Sequence, residues 1–289
     1  MRYTQRVHAL LWIGVATFML AAPAHARLGD RLREAAGNED VTQTIGEREV
    51  MLYVPSQLLP AGQRAMVIAL HGGGGNASHL RKRLQIDAAA KKYGFIVAYL
   101  NGSDASRRMP ASMRAWNAGG GCCGLPADEG IDDVAYISQT TAQLQRDYGV
   151  DPSRTFVAGH SNGSMLGQLM LCTTNIFAAG VTISGPINTQ LNACPSAAGK
   201  RILALHGEND ANVPITGGKG TKGPMRVKKE VVFRSQASAK ALFEQFGAHY
   251  DLEILLNTDH ALEHVAQTIL DQQGMTLGEK AARFFGLAN

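Results

Sequence analysis

No cysteine precedes Cys122 in this chain of 289 residues. A lipid-attachment cysteine near an export cleavage point is therefore not expected. Apolar runs long enough to span a bilayer are missing too. The longest, Ala9 to Ala22, is short for a spanning helix, and it lies between Arg2 and Arg6 on one side and the small-x-small pattern Ala24-His25-Ala26 on the other. Residues 1–26 are expected to be a cleaved signal peptide, leaving a secreted or periplasmic protein with no membrane association after cleavage. Charge of one sign is scarce. The formal net charge is +4, and removing Arg2 and Arg6 with the leader brings it to +2, which gives no basis for nucleic-acid binding. Also missing are linkers, internal repeats and low-complexity tracts, so residues 27–289 are expected to form a single domain around one large core.

What is present is an alternation of short β-branched runs with longer helical periods. Strands are predicted at Arg48 to Pro55, Ala65 to Leu70, Phe95 to Leu100, Arg154 to Gly159, Ala178 to Ser184, Arg201 to Leu205 and Asp251 to Leu256. Helices are predicted at about Ala77 to Lys92, Ile131 to Arg146, Gly163 to Cys172, Arg234 to Phe246 and Glu279 to Phe285. Continuous apolar strands between helices imply an α/β fold, a mostly parallel central sheet covered by helices on both faces.

Gly159-His160-Ser161-Asn162-Gly163 falls where one of those strands runs into a helix, the setting of a nucleophile elbow. The flanking glycines let the backbone reverse where a Cβ would collide with a neighbouring segment. Such a turn raises the Ser161 hydroxyl above the sheet edge and offers the Asn162 amide to an oxygen that becomes negative. A serine also needs a base and an acid. Asp210 lies in the loop after "RILAL", and His260 lies just beyond the last strand. The order Ser161, Asp210, His260 is that of an α/β-hydrolase triad. His264 is the competing base, and Glu208 and Asp259 are the competing acids. His206 is expected to pack or hydrogen-bond beside the acid loop, and His79 and His249 to be surface or core residues.

The run Leu70 to Ser78, "LHGGGGNAS", can bring backbone amides close to a substrate. Gly73 or Gly74 is expected to pair with Asn162 as oxyanion hole. No Lys-Ser/Thr follows the glycines, so a phosphate loop is disfavoured. His71, Trp116 and His160 are candidates for the substrate pocket, although a core position suits Trp116 equally and His160 should point away from the nucleophile. Asp132 and Asp133 read as helix-capping residues. All four cysteines, Cys122, Cys123, Cys172 and Cys194, fall in the exported part, where bridges are favoured. A Cys172–Cys194 bridge would tie two catalytic segments together, and Cys122 and Cys123 either form a vicinal bridge or pair elsewhere.

These motifs resemble the secreted α/β-hydrolases grouped as feruloyl esterases and polyhydroxybutyrate depolymerase-like esterases. The resemblance rests on "VIALHGGGGNA" (Val67 to Ala77), "WNAGGGCCG" (Trp116 to Gly124), "IDDVAYI" (Ile131 to Ile137), "DPSRTFVAGHSNGSM" (Asp151 to Met165) and "LHGENDANVPITGGKG" (Leu205 to Gly220). It implies Ser161 as nucleophile, Asp210 as acid, His260 as base, and the His71 to Gly74 region as part of the oxyanion hole. One departure is that Ala261-Leu262-Glu263-His264 replaces the tryptophan-containing block that many members carry after the histidine.

The expected activity is hydrolysis of aryl (feruloyl-type) or short hydroxyacyl and polyester-type esters, without cofactor or metal. The interval between Ser184 and Arg201 is too short for a large lid. An open site is expected, walled by loops Asn101 to Gly130 and Ala211 to Glu230. The second loop carries Lys219, Lys222, Arg226, Lys228 and Lys229, either facing acidic sugars or forming a solvated basic loop. The competing readings are a carbohydrate- or polymer-binding protein with a vestigial site, and a zinc hydrolase using the H-x-x-E-H pattern of His260 and His264. No appended polymer-binding domain is expected, which favours soluble esters over crystalline polyester.

Overall fold

The computed structural model describes residues 39–189, 191–221 and 231–288. The expected signal peptide and the basic stretch from Lys222 to Lys229 lie outside them.

Eight strands make one sheet: β1 (Glu39–Ile45), β2 (Arg48–Val54), β3 (Arg64–Leu70), β4 (Ile96–Leu100), β5 (Val150–His160), β6 (Ala179–Ile183), β7 (Arg201–Gly207) and β8 (His249–Leu255). Their spatial order is β1-β2-β4-β3-β5-β6-β7-β8. β2 runs antiparallel to both of its neighbours, β1 and β4, and the pairs from β4 to β8 are all parallel. The helices are α1 (Ala77–Leu84), α2 (Asp87–Tyr93), α3 (Gly124–Glu129), α4 (Asp133–Tyr148), α5 (Asn162–Thr173) and α6 (Gln236–Gln245) between strands, with α7 (Leu262–Gln273) and α8 (Leu277–Phe284) after the last one.

Every residue of β3 is buried, as a strand covered on both faces requires. Its alternating side chains divide between two cores. Met66, Ile68 and Leu70 join Leu144, Leu166 and Phe243 on the face of α4, α5 and α6. Ala65, Val67 and Ala69 join Leu80, Val265 and Leu277 on the face of α1, α7 and α8. The parallel strands therefore present their C-terminal ends on one edge, where an open α/β sheet places its ligands.

The architecture is the α/β-hydrolase arrangement expected from the sequence, with local differences. The helix predicted from Ala77 to Lys92 is two helices, because Gln85 turns left-handed (φ 54°) and its amide closes onto the Arg81 carbonyl. Gly278 of α8 packs against that break, and a Cβ there would stand 2.4 Å from the Gln85 carbonyl oxygen. Helix α7 was not expected, yet Leu262, Val265 and Ile269 bury one stripe of it. Among the described residues, no helix is long and apolar enough to cross a membrane.

Candidate active site

At the end of β5 the chain reverses directly into α5. Ser161 stands between them with φ 53° and ψ −119°, a strained conformation for a residue with a side chain. The glycines explain how the reversal fits. A Cβ on Gly159 would lie 2.5 Å from the Gly163 carbonyl oxygen, and one on Gly163 would lie 2.3 Å from that of Leu70. The Ser161 amide is fixed by the Ile183 carbonyl at 2.7 Å, so the neighbouring strand β6 holds the turn.

The loops after β7 and β8 bring the other two groups to it. His260 Nε2 is 2.9 Å from Ser161 Oγ, and His260 Nδ1 is 2.7 Å from Asp210 Oδ2. Asp210 Oδ1 accepts the amides of Asn212 and Val213, each at 2.9 Å, which orients the carboxylate. Burial alone would raise the Asp210 carboxyl. Hydrogen bonds from His206 and His260, with the Val213 amide, instead hold it well below the usual carboxylate range. The competitors are engaged elsewhere. His264 and Asp259 pair with each other at 2.8 Å on the surface, and Glu208 accepts the Asn257 amide at 3.2 Å. His260 and His264 thus face different partners.

His160 touches His260 through that residue's own backbone. Its Nε2–H donates to the His260 carbonyl at 3.0 Å, and burial, reinforced by the His260 imidazole, lowers its pKa to about 3. It lines the cleft as a neutral brace under the His260 loop.

The glycine run lies against Ser161. A Cβ on Gly72 would stand 3.2 Å from Ser161 Cβ and 2.9 Å from the His160 ring, so only glycine allows this approach. Of the two glycines expected to supply an amide, Gly74 is a correction: its N–H donates to the Arg114 carbonyl at 2.8 Å. Gly75 likewise donates to Gly72 at 3.0 Å, while among the described residues no group takes the Gly73 amide. His71 fixes the start of the loop. Its Nε2 accepts from the Gly102 amide at 3.0 Å, so Nδ1–H donates to the Gly72 carbonyl at 2.9 Å. Burial holds its pKa at about 4, and it is a neutral structural group whose ring reaches the cleft wall.

Of the two positions open to Trp116, pocket wall and core, the structure takes the second, which corrects its place among the substrate-pocket candidates. It is fully buried, and its indole N–H donates to the His71 carbonyl at 2.9 Å, so it is a core residue rather than a pocket wall. Its backbone clamps the Asn162 side chain, which accepts the Trp116 amide at 2.8 Å and donates to the Trp116 carbonyl at 3.0 Å. Asn162 thus spends its side chain on the scaffold. Of the two aspartates read as caps, Asp132 caps α4 through the Ala135 amide. Asp133 does not. It is buried, pairs with Arg48 at 2.5 Å and accepts the Asn117 amide at 2.7 Å, and burial pushes its carboxyl up against the pull of Arg48.

The cleft above Ser161 holds about 720 Å³, and its walls include Leu80, Cys122, Cys123, Val213 and Phe233. Lys219 reaches its rim, as does the Arg83–Glu263 ion pair. Cys122 and Cys123 are bridged to each other, and Cys172 of α5 is bridged to Cys194 ahead of β7. The second bridge joins the helix that follows Ser161 to the segment ahead of the strand that leads to Asp210. The hydrogen bonding expected of His206 beside the acid loop is found: its Nε2 lies 2.9 Å from the Val213 carbonyl and 3.2 Å from Asp210 Oδ2.

Over 138 residues the chain is 34% identical to feruloyl esterase B of Neurospora crassa, covering 46% of this chain and 42% of that protein. It is 30% identical over 135 residues to a probable acetylxylan esterase A of Aspergillus fumigatus, covering 46% and 33%. The chain thus spans less than half the length of both relatives. The crystal structure of a Bacillus cereus carboxylesterase superposes with a TM-score of 0.56 at 18% identity, over 84% of this chain and 96% of that one, and so shares the fold. Residues 60–231, more than half of the sequence, match the phospholipase/carboxylesterase family, and the chain belongs to that family.

Proposed function

We propose that this protein hydrolyses carboxylic esters through an acyl-enzyme on Ser161. The observation that carries the reading is the continuous relay from Asp210 through His260 to Ser161, with contacts of 2.7 and 2.9 Å. In the first half-reaction His260 Nε2 takes the Ser161 proton as Oγ attacks the ester carbonyl carbon. Asp210 holds the proton on Nδ1 and stabilises the imidazolium. The amides of Gly73 and Asn162 hold the developing oxyanion, at the N-terminus of α5 where the helix dipole adds to the effect. The imidazolium then protonates the departing alkoxide. Water, deprotonated by the same imidazole, attacks the acyl carbon and releases the acid with Ser161 restored.

The substrates proposed are aryl esters of the feruloyl type or short acyl and hydroxyacyl esters. The similarity to proteins named feruloyl esterase and acetylxylan esterase supports this class. So does the open cleft, whose apolar side chains Leu80, Val213 and Phe233 suit an aryl or short acyl group. Two disulfides fit work in an oxidising compartment, periplasmic or extracellular.

The test is a panel of feruloyl, acetyl-xylan, hydroxybutyrate-oligomer and short p-nitrophenyl esters. Turnover of at least one class, abolished by Ser161→Ala, is the expected result. Absence of turnover on every class would overturn the reading.

A further inference from the structure

Beneath the triad, a line of polar side chains crosses an otherwise apolar core between the nucleophile's helix and the acid loop. Gln168 lies on α5, seven residues after Ser161. Tyr250 comes from β8, Gln236 from the start of α6, and His206 from the end of β7. All are at most 1% exposed. Buried polar groups of this kind cost stability unless each is paired, so their bonding can be followed donor by donor.

The direction of the line is set at one end by a backbone amide, which can only donate. The Ile187 N–H donates to Gln168 Oε1 at 2.9 Å, so the Gln168 amide nitrogen faces onward and donates to the Tyr250 hydroxyl oxygen at 3.0 Å. The Tyr250 O–H then donates to Gln236 Oε1 at 2.8 Å. That places the Gln236 NH2 against His206 Nδ1 at 2.8 Å, where the ring nitrogen must accept. The His206 proton is thereby confined to Nε2. There it is shared between the Val213 carbonyl at 2.9 Å and Asp210 Oδ2 at 3.2 Å. Every link points the same way and ends on the triad carboxylate.

We infer that His206 is a positioning residue for Asp210, and that the Gln168–Tyr250–Gln236 line fixes the tautomer that makes it a donor. The oxygen held by His206 is the one that receives His260, Oδ2, while Oδ1 is held by the two loop amides. With His206 in place the carboxylate cannot swing out of the His260 plane. The line also starts on α5 and ends on the acid loop, so it sets the two catalytic elements at one separation. Packing alone would be served by apolar side chains of the same size, at no desolvation cost.

This inference rests on Asp210 serving as the triad acid, and two readouts keep the two ideas apart. The first is steady-state kinetics on a p-nitrophenyl ester. His206→Leu should lower kcat about tenfold with KM unchanged, the loss of one hydrogen bond to a charged group. His206→Gln, which returns a donor at the Nε2 position, should recover most of it. Tyr250→Phe removes one oxygen and leaves the fold intact, and should lower kcat about threefold by releasing the Gln236 amide. The second readout is the low-field proton resonance of the His260 Nδ1–H bond to Asp210, recorded without substrate. It should move or broaden in His206→Leu and Tyr250→Phe and return in His206→Gln. Folded His206→Leu and Tyr250→Phe proteins with wild-type kcat and an unmoved resonance would overturn the inference. If His206→Leu does not fold, Tyr250→Phe decides it by the same two criteria. If the unaltered protein hydrolyses no ester, the esterase reading fails while the resonance still tests the positioning role.

Discussion

Replacing Asp210 by asparagine isolates what the acid contributes, because the surrounding donors dictate how the new amide must sit. The amides of Asn212 and Val213 both donate to Oδ1, each at 2.9 Å, so the asparagine keeps its oxygen there. Its NH2 group then faces His260 Nδ1 and His206 Nε2. The first hydrogen turns His260 Nδ1 into an acceptor and moves the imidazole proton to Nε2, the atom that must take the Ser161 proton. Turnover should fall about 10⁴-fold, the loss associated with the wrong tautomer in such a triad. The second hydrogen meets the His206 Nε2–H, donor against donor, in a pair of side chains with no exposed surface. That should cost about 1–3 kcal/mol, or about 3–10 °C in Tm for a domain of this size. Kinetics on a p-nitrophenyl ester and a calorimetric scan measure the two effects separately. A folded Asp210→Asn protein that keeps a tenth of the wild-type kcat/KM would refute the reasoning.

Ser161→Ala should lower turnover about a million-fold with an unchanged circular-dichroism spectrum, and ordinary turnover by the variant would count against the nucleophile. Removing the bridge between Cys172 and Cys194, which are 22 residues apart, with paired alanines should cost about 3 kcal/mol in urea unfolding and leave kcat unaltered. Acid should destabilise the fold through His71. Its pKa is held at about 4 against 6.5 in the unfolded chain, so the unfolded state binds more protons between those values. Stability contributed by neutral His71 is therefore present above pH 6.5 and declines as pH falls toward 4, by up to about 1.4 kcal/mol per pH unit. The urea midpoint measured from pH 7 to pH 5 should fall, and His71→Gln should flatten the slope.

The three residues were legible because each follows the end of a strand predicted from its β-branched and apolar residues. Ser161, Asp210 and His260 occupy the first loops beyond β5, β7 and β8, and parallel strands collect those loops on one edge. The Gly159 and Gly163 positions were legible for a steric reason that the distances to neighbouring carbonyls express. Other features depend on partners remote in sequence. Which glycine amide is taken is decided by Arg114, and whether Asp133 caps a helix or pairs with a cation is decided by Arg48 from 85 residues away. Trp116 suited core and pocket wall equally, and the choice is made by a carbonyl 45 residues back that takes its indole N–H. The line from Gln168 to His206 draws on α5, α6, β7 and β8, and no local pattern announces it.

The most direct test of the central claim is mass spectrometry of the protein after treatment with a fluorophosphonate, with residual ester turnover followed in parallel. A single adduct on Ser161, with turnover lost in proportion to its occupancy, is the expected result. Stoichiometric labelling at another residue, or full turnover with Ser161 blocked, would contradict it.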